Sequence, residues 1–507
     1  MLAIIAKLPL LVLLMGLGSL AMLFPALHAA AMQDFFVARV FVYSALLFGF
    51  VTSFLAIAMA GRPRSTHPRR HLLALLGLFV LLPVMFAVPL HQAIGNTSFL
   101  NAYVEMVSSL TTTGATMFDD PGRLPDSVHL WRAIVGWMGG FFILVGAIAI
   151  LAPMSLGGFE VRAGGPITAQ QSREMIQITH VADISQRIRT YSAQLFPIYG
   201  GLTLVLWIAL IVAGDLPFLA FCHALSTLAT SGISPVAGPV AGGAGYGGEV
   251  LIAIFLLLAI SRLSFSREGN ENGPRKLLDD PEVRMAAAIV LIVPLFLFAR
   301  HWIGAFEVEE RMDILAGLGA LWGGVFTVLS FLTTTGFESA AWASSRNWSG
   351  LQTPGLVLMG LALVGGGVAT TAGGAKLLRV YALYKHGMRE LDKLVHPSSV
   401  GGSGGLARHI RGRGAYMAWL FFMLMTMSVA LIMLALSLTG QGFETSLVLT
   451  VAALTTTGPL ANVAAVEPIS FGMLPAAAKM IVAAAMVLGR LETLAIIALL
   501  NPDIWRR

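Results

Sequence analysis

Apolar residues run along this chain in ten long blocks, at roughly 8–27, 36–60, 72–91, 129–152, 192–213, 249–265, 284–303, 355–385, 415–438 and 473–500. A helix needs about 20 apolar residues to cross a bilayer, and each block is near or above that length. Shorter, less apolar pieces lie between certain blocks, at 99–113, 218–231, 320–335 and 444–457. At about 14 to 16 residues, such a piece can enter a membrane as a helix without crossing it. The pattern predicts an all-α polytopic membrane protein.

Each short piece ends in a version of one motif. Ser109-Leu110-Thr111-Thr112-Thr113-Gly114 recurs as Thr227-Leu228-Ala229-Thr230-Ser231-Gly232, as Phe331-Leu332-Thr333-Thr334-Thr335-Gly336, and as Ala453-Leu454-Thr455-Thr456-Thr457-Gly458. The glycines stand 118, 104 and 122 residues apart. A single Thr/Gly run reads as a helix end, but four at similar spacing are a repeat. The chain therefore divides into two leading transmembrane helices (1–71) and four units, 72–190, 191–282, 283–413 and 414–507. Each unit is a span, a re-entrant half-helix, a Thr/Gly loop and a second span. Loop backbone cannot face lipid, but it is tolerated where it lines a water-filled path inside a bundle. Four such loops predict pseudo-repeats arranged around one central pore.

Composition supports this. Of 507 residues, 57% are hydrophobic and 11% charged, against about 25% charged in soluble domains. The net charge of +6 implies no nucleic acid, because its distribution follows a membrane rule. The predicted inner segments 61–71, 155–191, 262–284, 376–413 and 503–507 hold 23 Lys and Arg against 11 Asp and Glu. The predicted outer segments hold 14 acids, opposed only by Arg123, Arg311 and Arg346. The positive-inside rule puts both termini in the cytoplasm, so the half-helices dip from the outer face. Residues 1–31 have the make-up of a signal peptide, yet an uncleaved first span gives the even span count that the charges require. Cys222 is the sole cysteine, which excludes an intrachain disulfide and a thiolate-rich metal site.

The loops suit a cation. An ion that sheds its water needs a ring of oxygens, and backbone carbonyls about an axis supply one. Glycine reaches conformations that let carbonyls be aimed at that axis, and Thr and Ser add hydroxyls. Each half-helix directs its partially negative C-terminus at the loop, and acidic outer segments concentrate cations.

Here the sequence resembles the bacterial Trk-type potassium-uptake membrane subunits, within the Trk/Ktr/HKT group. The likeness rests on the four loops, on Gly136-Trp137-Met138-Gly139-Gly140, and on Gly365-Gly366-Gly367-Val368-Ala369-Thr370-Thr371-Ala372-Gly373-Gly374-Ala375-Lys376. It also rests on Leu488-Gly489-Arg490-Leu491-Glu492 and the ending Asn501-Pro502-Asp503-Ile504-Trp505-Arg506. The two leading spans look more like the Trk branch than the shorter Ktr branch. The resemblance implies potassium uptake across the bacterial inner membrane, with K+ as transported ion and no organic cofactor. It makes Gly114, Gly232, Gly336 and Gly458 the filter glycines, with Thr112, Thr113, Thr230, Ser231, Thr334, Thr335, Thr456 and Thr457 giving oxygens beside them. It further implies a homodimer in membrane lipid and a cytoplasmic nucleotide-binding regulatory subunit. The loops are not identical. Ala229 replaces the first Thr of the second copy, and Pro459, which lacks an N–H, follows Gly458. Only approximate fourfold symmetry is expected.

Five glycines (Gly365, Gly366, Gly367, Gly373, Gly374) and two threonines (Thr370, Thr371) interrupt the eighth block. Each glycine costs about 1 kcal/mol in a helix relative to alanine. Taken alone the stretch fits either close helix packing or a break; the resemblance implies an intramembrane loop that gates the path. Arg490 lies deep in the last span, where a cation costs at least about 2.5 kcal/mol. It is either a packing arginine on backbone carbonyls or the residue that holds the 365–374 loop across the path. Lys376 reads as an inner-end anchor. Glu105, Glu338 and Glu444 read as outer charges or loop-stabilising acceptors, and His180 and His223 as isolated structural histidines. Segments 155–191 and 376–413 fit docking of a partner, although topology alone would make them basic. Two rival functions remain: a sodium or ammonium transporter, and an intramembrane enzyme, for which no HExxH pair and no paired carboxylates within one span are found.

Overall fold

The computed structural model describes residues 9–59, 68–154, 158–161, 184–236, 238–239, 242–261, 279–305, 314–349, 355–396 and 412–491. His180, Glu492, the Asn501–Arg506 ending, residues 398–411 and the greater part of 155–191 and 262–284 lie outside them.

The described residues are helical throughout their long segments. The leading helices are α1 (Leu10–Ala31) and α2 (Phe35–Met59). The first unit follows as α3 (Pro68–Ile94), half-helix α4 (Phe99–Leu110) and α5 (Asp126–Leu151), whose last turn, Ala147–Leu151, is π-helical. The second is α6 (Ile184–Ala213), half-helix α7 (Pro217–Ala229) and α8 (Gly245–Ala259). The third holds α9 (Pro281–Ala305), α10 (Ile314–Leu332), α11 (Trp342–Ser349), α12 (Gly355–Val364) and α13 (Leu377–Val395). The fourth is α14 (Gly412–Ser437), half-helix α15 (Phe443–Leu454) and α16 (Ala476–Leu491).

Among the described residues, 7 helices are long and apolar enough to cross a membrane, against the ten blocks read from the sequence. The eighth block is split into α12 and α13. The sixth is shortened because α8 stops at Ala259, whose carbonyl accepts from Gly367 N at 3.0 Å. α10 runs 19 residues, longer than the half-helix predicted there, because the chain stays helical through Gly317 and Gly319 despite their low propensity. The short α11 was not predicted.

The second helix of each unit packs on the half-helix of the next: α5 on α7, α8 on α10, and α12 on α15. The order closes when α16 packs on α4. Glycines permit the close approach. Between units, a Cβ on Gly140 of α5 would lie 2.9 Å from Ala229 Cα of α7; within units, one on Gly139 would lie 1.9 Å from the Leu110 carbonyl and one on Gly489 of α16 2.2 Å from that of Leu454. One apolar core joins α1–α5 to α15 and α16, and a second joins α6–α10 to α12 and α15. α5 is 83% buried across its window whereas α14 is 17% buried, so α5 is central and α14 peripheral, its outward face apolar as lipid contact requires.

Candidate functional site

The four Thr/Gly turns share one backbone design. The amide of the second turn residue bonds three back, as Thr112 N to Ser109 O at 3.0 Å, and that of the third bonds five back, as Thr113 N to Ser108 O at 2.8 Å. The same pair recurs at Thr230 and Ser231, at Thr334 and Thr335, and at Thr456 and Thr457. This is the Schellman ending of a helix, which places one residue in the left-handed region, usually glycine. Here that residue is Thr in every copy: φ is 54° at Thr112, 49° at Thr230, 58° at Thr334 and 54° at Thr456.

Gly114, Gly232 and Gly336 also have positive φ, of 71°, 65° and 82°. Gly458 does not. Its amide donates to Thr113 O at 2.6 Å, and Pro459 starts a helical turn at Leu460–Val463. The expectation that the fourth turn is supported differently agrees with this geometry, whereas uniform glycine conformations do not.

The four glycines touch one another's turns in cyclic order. A Cβ on Gly114 would lie 2.0 Å from Ser231 O, and one on Gly232 would lie 2.2 Å from Thr335 O. On Gly336 it would meet the Pro459 ring at 2.8 Å, and on Gly458 the Ala115 amide nitrogen at 2.2 Å. No side chain fits at these positions without moving backbone or a proline ring. All eight predicted Thr and Ser residues beside the glycines are buried. Thr113, Thr335 and Thr457 hydroxyls bond those of Thr111, Thr333 and Thr455, at 2.8, 3.2 and 3.2 Å. Where Ala229 removes that partner, Ser231 Oγ turns to Ser226 Oγ at 3.0 Å. Buried Thr112 and Thr456 hydroxyls have no hydrogen-bond partner among the described residues.

The interrupted segment lies directly against these turns. Gly373 N donates to Thr334 Oγ1 at 2.7 Å, and a Cβ on Gly373 would lie 2.2 Å from Thr455 O. Gly365 and Gly374 take positive φ, of 72° and 75°, and their backbones abut. Thr370 Oγ1 closes a local turn on Gly367 O at 2.8 Å, and Gly366 O accepts from Leu377 N at 2.9 Å. Arg490 Nη1 donates to Thr371 O at 2.7 Å. Glu282, at the start of α9, accepts from Val368 N at 2.8 Å. Lys376 is not an anchor at a membrane edge: it is buried, and its ammonium donates to Ala372 O. Lys376, Arg490 and the π-helical end of α5 line one cavity with Thr370 and Gly373.

The acids outside the turns are braces. Glu105 accepts from Met117 N at 2.6 Å and pairs with Arg132 at 2.6 Å. Glu249 takes Trp322 Nε1, Ser339 Oγ and Ala340 N, at 2.8, 2.7 and 2.7 Å. Glu444 accepts from Val466 N at 2.9 Å. His223 is not isolated: its Nε2 lies 3.0 Å from Ser234 Oγ and its Nδ1 3.8 Å from Asp215 Oδ2. Sequence reasoning missed Glu249, Glu282 and the role of His223. Aligning the four repeats on their glycines would have marked His223, because it holds the register of Glu105.

Crossing helices with an internal quartet of buried, mutually contacting turns define a multi-pass membrane protein, and comparison with known proteins makes it a transporter rather than an enzyme. The sequence profile of TrkH, described as a cation transport protein, matches residues 79–237 and 241–505. The chain belongs to the TrkH family. It is 30% identical over 515 residues to the Trk system potassium uptake protein TrkH of Vibrio parahaemolyticus, covering 97% of this chain and 98% of that one. It is also 30% identical over 440 residues to TrkH of Halomonas elongata, covering 86% and 84%. The crystal structure of the potassium transporter TrkH from Vibrio parahaemolyticus superposes with a TM-score of 0.79 at 27% identity, covering 98% of each chain.

Proposed function

We propose that this chain takes up K+ across the bacterial inner membrane through a filter made by its four Thr/Gly turns. The observation that carries the reading is the cyclic contact of Gly114, Gly232, Gly336 and Gly458, each seated against the next turn. Carbonyls from four turns meeting in this way offer a dehydrated cation a ring of oxygens. Each turn caps a half-helix whose carbonyl end favours positive charge. The relatives are named as potassium uptake proteins, which favours K+ over sodium or ammonium. The units run 72–190, 191–282, 283–413 and 414–507, after two leading helices in 1–71, with both termini cytoplasmic.

In this reading Gly365, Gly366, Gly367, Thr370, Thr371, Gly373 and Gly374 form a gate on the cytoplasmic side of the filter, held shut by Arg490. The chain works as a homodimer under a cytoplasmic nucleotide-binding subunit, which copurification from membranes tests. For transport, the test is rescue of a potassium-uptake-deficient bacterium at low external K+, with Na+ and ammonium as competitors. Rescue by the wild type, weak competition by both ions, and no rescue by Gly232→Ala are expected. Failure to rescue, or competition by Na+ equal to that by K+, overturns the reading.

A further inference from the structure

We propose that, in the first three units, the side chain nine positions before the turn's glycine is a positioning residue that sets ion discrimination from behind the turn. The proposal rests on the reading of the four turns as the ion site. Counting back from Gly114, Gly232, Gly336 and Gly458 gives Glu105, His223, Thr327 and Leu449. These side chains have unlike chemistry, yet the first three make the same connection. Each joins its half-helix to the chain segment that leaves the glycine, two or three residues beyond it. Glu105 Oε2 accepts from Met117 N at 2.6 Å and Thr116 Oγ1 at 3.3 Å. His223 Nε2 bonds Ser234 Oγ at 3.0 Å, and Thr327 Oγ1 accepts from Ser339 N at 3.3 Å.

The fourth unit has no such bond, because Leu449 carries no polar atom. There the irregular segment is replaced by the helical turn at Leu460–Val463, and Ala461 N bonds the Gly458 carbonyl itself at 3.0 Å. Backbone thus does in the fourth turn what a side chain does in the other three. All four residues of this register are buried, and the polar three bond the segment behind the turn rather than the turn itself, so each acts through the segment it holds. To the extent that a ring of carbonyls discriminates between ions by size, its oxygens must resist moving in or out. The brace is what opposes that movement.

His223 is the sharpest test site, since its ring also packs edge-on against Phe337, the residue after the third glycine, at 6.0 Å. It therefore holds two neighbouring turns in place. The experiment reconstitutes the full chain in liposomes and measures the K+ to Na+ flux ratio within one preparation, a quantity independent of the amount inserted. His223→Leu, which copies the fourth unit, is expected to lose about three- to tenfold of the K+ preference, the worth of one neutral hydrogen bond. His223→Gln, which keeps a partner for Ser234, restores most of it. Ser234→Ala removes the same bond from the loop side and lowers the ratio in the same way. It decides the matter if His223→Leu is not recovered in membranes. A wild-type ratio in both His223→Leu and Ser234→Ala overturns the brace while leaving the ion site standing. Absence of any K+ preference in the wild type overturns the ion site itself.

Discussion

Thr112, Thr230, Thr334 and Thr456 occupy the left-handed region, which costs an L-residue roughly 1–2 kcal/mol and is rare for a β-branched side chain. Strain of this kind persists where the surroundings over-determine it. Here the hydrogen-bonded helix ending fixes the conformation, and at Thr334 the hydroxyl does what glycine could not, accepting from Gly373 N. The glycines beside them are limited by space as well as by φ. Gly232→Ala is accordingly expected to abolish uptake, since its Cβ would strike Thr335 O. Gly95→Ala is the control, for Gly95 has φ of 72° but open space around it. It should cost roughly 1–2 kcal/mol of stability and leave uptake intact, as radiolabelled ion flux would register. Glu338, two residues beyond Gly336, supplies a titration at the same scale. Burial holds its carboxyl above the ordinary carboxylate range, while nearby Arg346 pulls the other way. Protonation removes negative charge beside the outer end of the third turn, so uptake should fall as external pH drops through that raised value. Glu338→Gln should flatten the acid limb of the profile; an unchanged limb would exclude Glu338 as its source.

The interrupted helix between α12 and α13 behaves as an element tied at both flanks. Arg490 of α16 holds Thr371 O, and Glu282 of α9 holds Val368 N. A hydrogen bond to a charged group contributes roughly 1.5–3 kcal/mol, enough to move a two-state gate by an order of magnitude or more. Arg490→Ala and Glu282→Gln should each raise basal flux in liposomes without a regulatory subunit, and the pair should exceed either. Unchanged flux in Arg490→Ala would remove it from the proposed gate. Much at this scale was legible in the sequence. The repeated Thr/Gly runs located the ends of α4, α7, α10 and α15, because that signal is local; the glycines at 365–374 fitted packing or a break alike, and only the family resemblance pointed to the break. What was not legible depends on contacts between distant segments. α8 ends early because the carbonyl of Ala259 faces Gly367 across the bundle. Lys376 reads as an anchor until the fold turns it onto Ala372 O. That Thr rather than Gly takes the left-handed position in all four turns follows from the helix ending, which composition does not report.

Across the whole molecule, the four turns come from units more than a hundred residues apart in sequence, and the first and last meet only when the chain closes on itself. Lys479 of α16 marks that seam, donating to Asn101 Oδ1 at 2.8 Å and to Gly472 O at 2.7 Å. Gly458 N completes it on Thr113 O. In the proposed filter, an ion held by carbonyls of all four turns would be bonded to every unit at once, and would exist as a bound species only while the ring is assembled. Binding to the native state alone stabilises it by mass action, by about 2.7 kcal/mol when the ligand stands at a hundred times its dissociation constant. The unfolding temperature of the detergent-solubilised chain should thus climb with added K+ at fixed ionic strength, and climb less with Na+. Gly232→Ala, which displaces the turn, should abolish the dependence on K+ while leaving a folded protein. Lys479→Met should instead lower the midpoint at every K+ concentration and keep the slope, because it opens the seam without touching the oxygens. A midpoint indifferent to the cation, in a wild type that still transports K+, would mean that the ion is held by fewer turns than the ring presents.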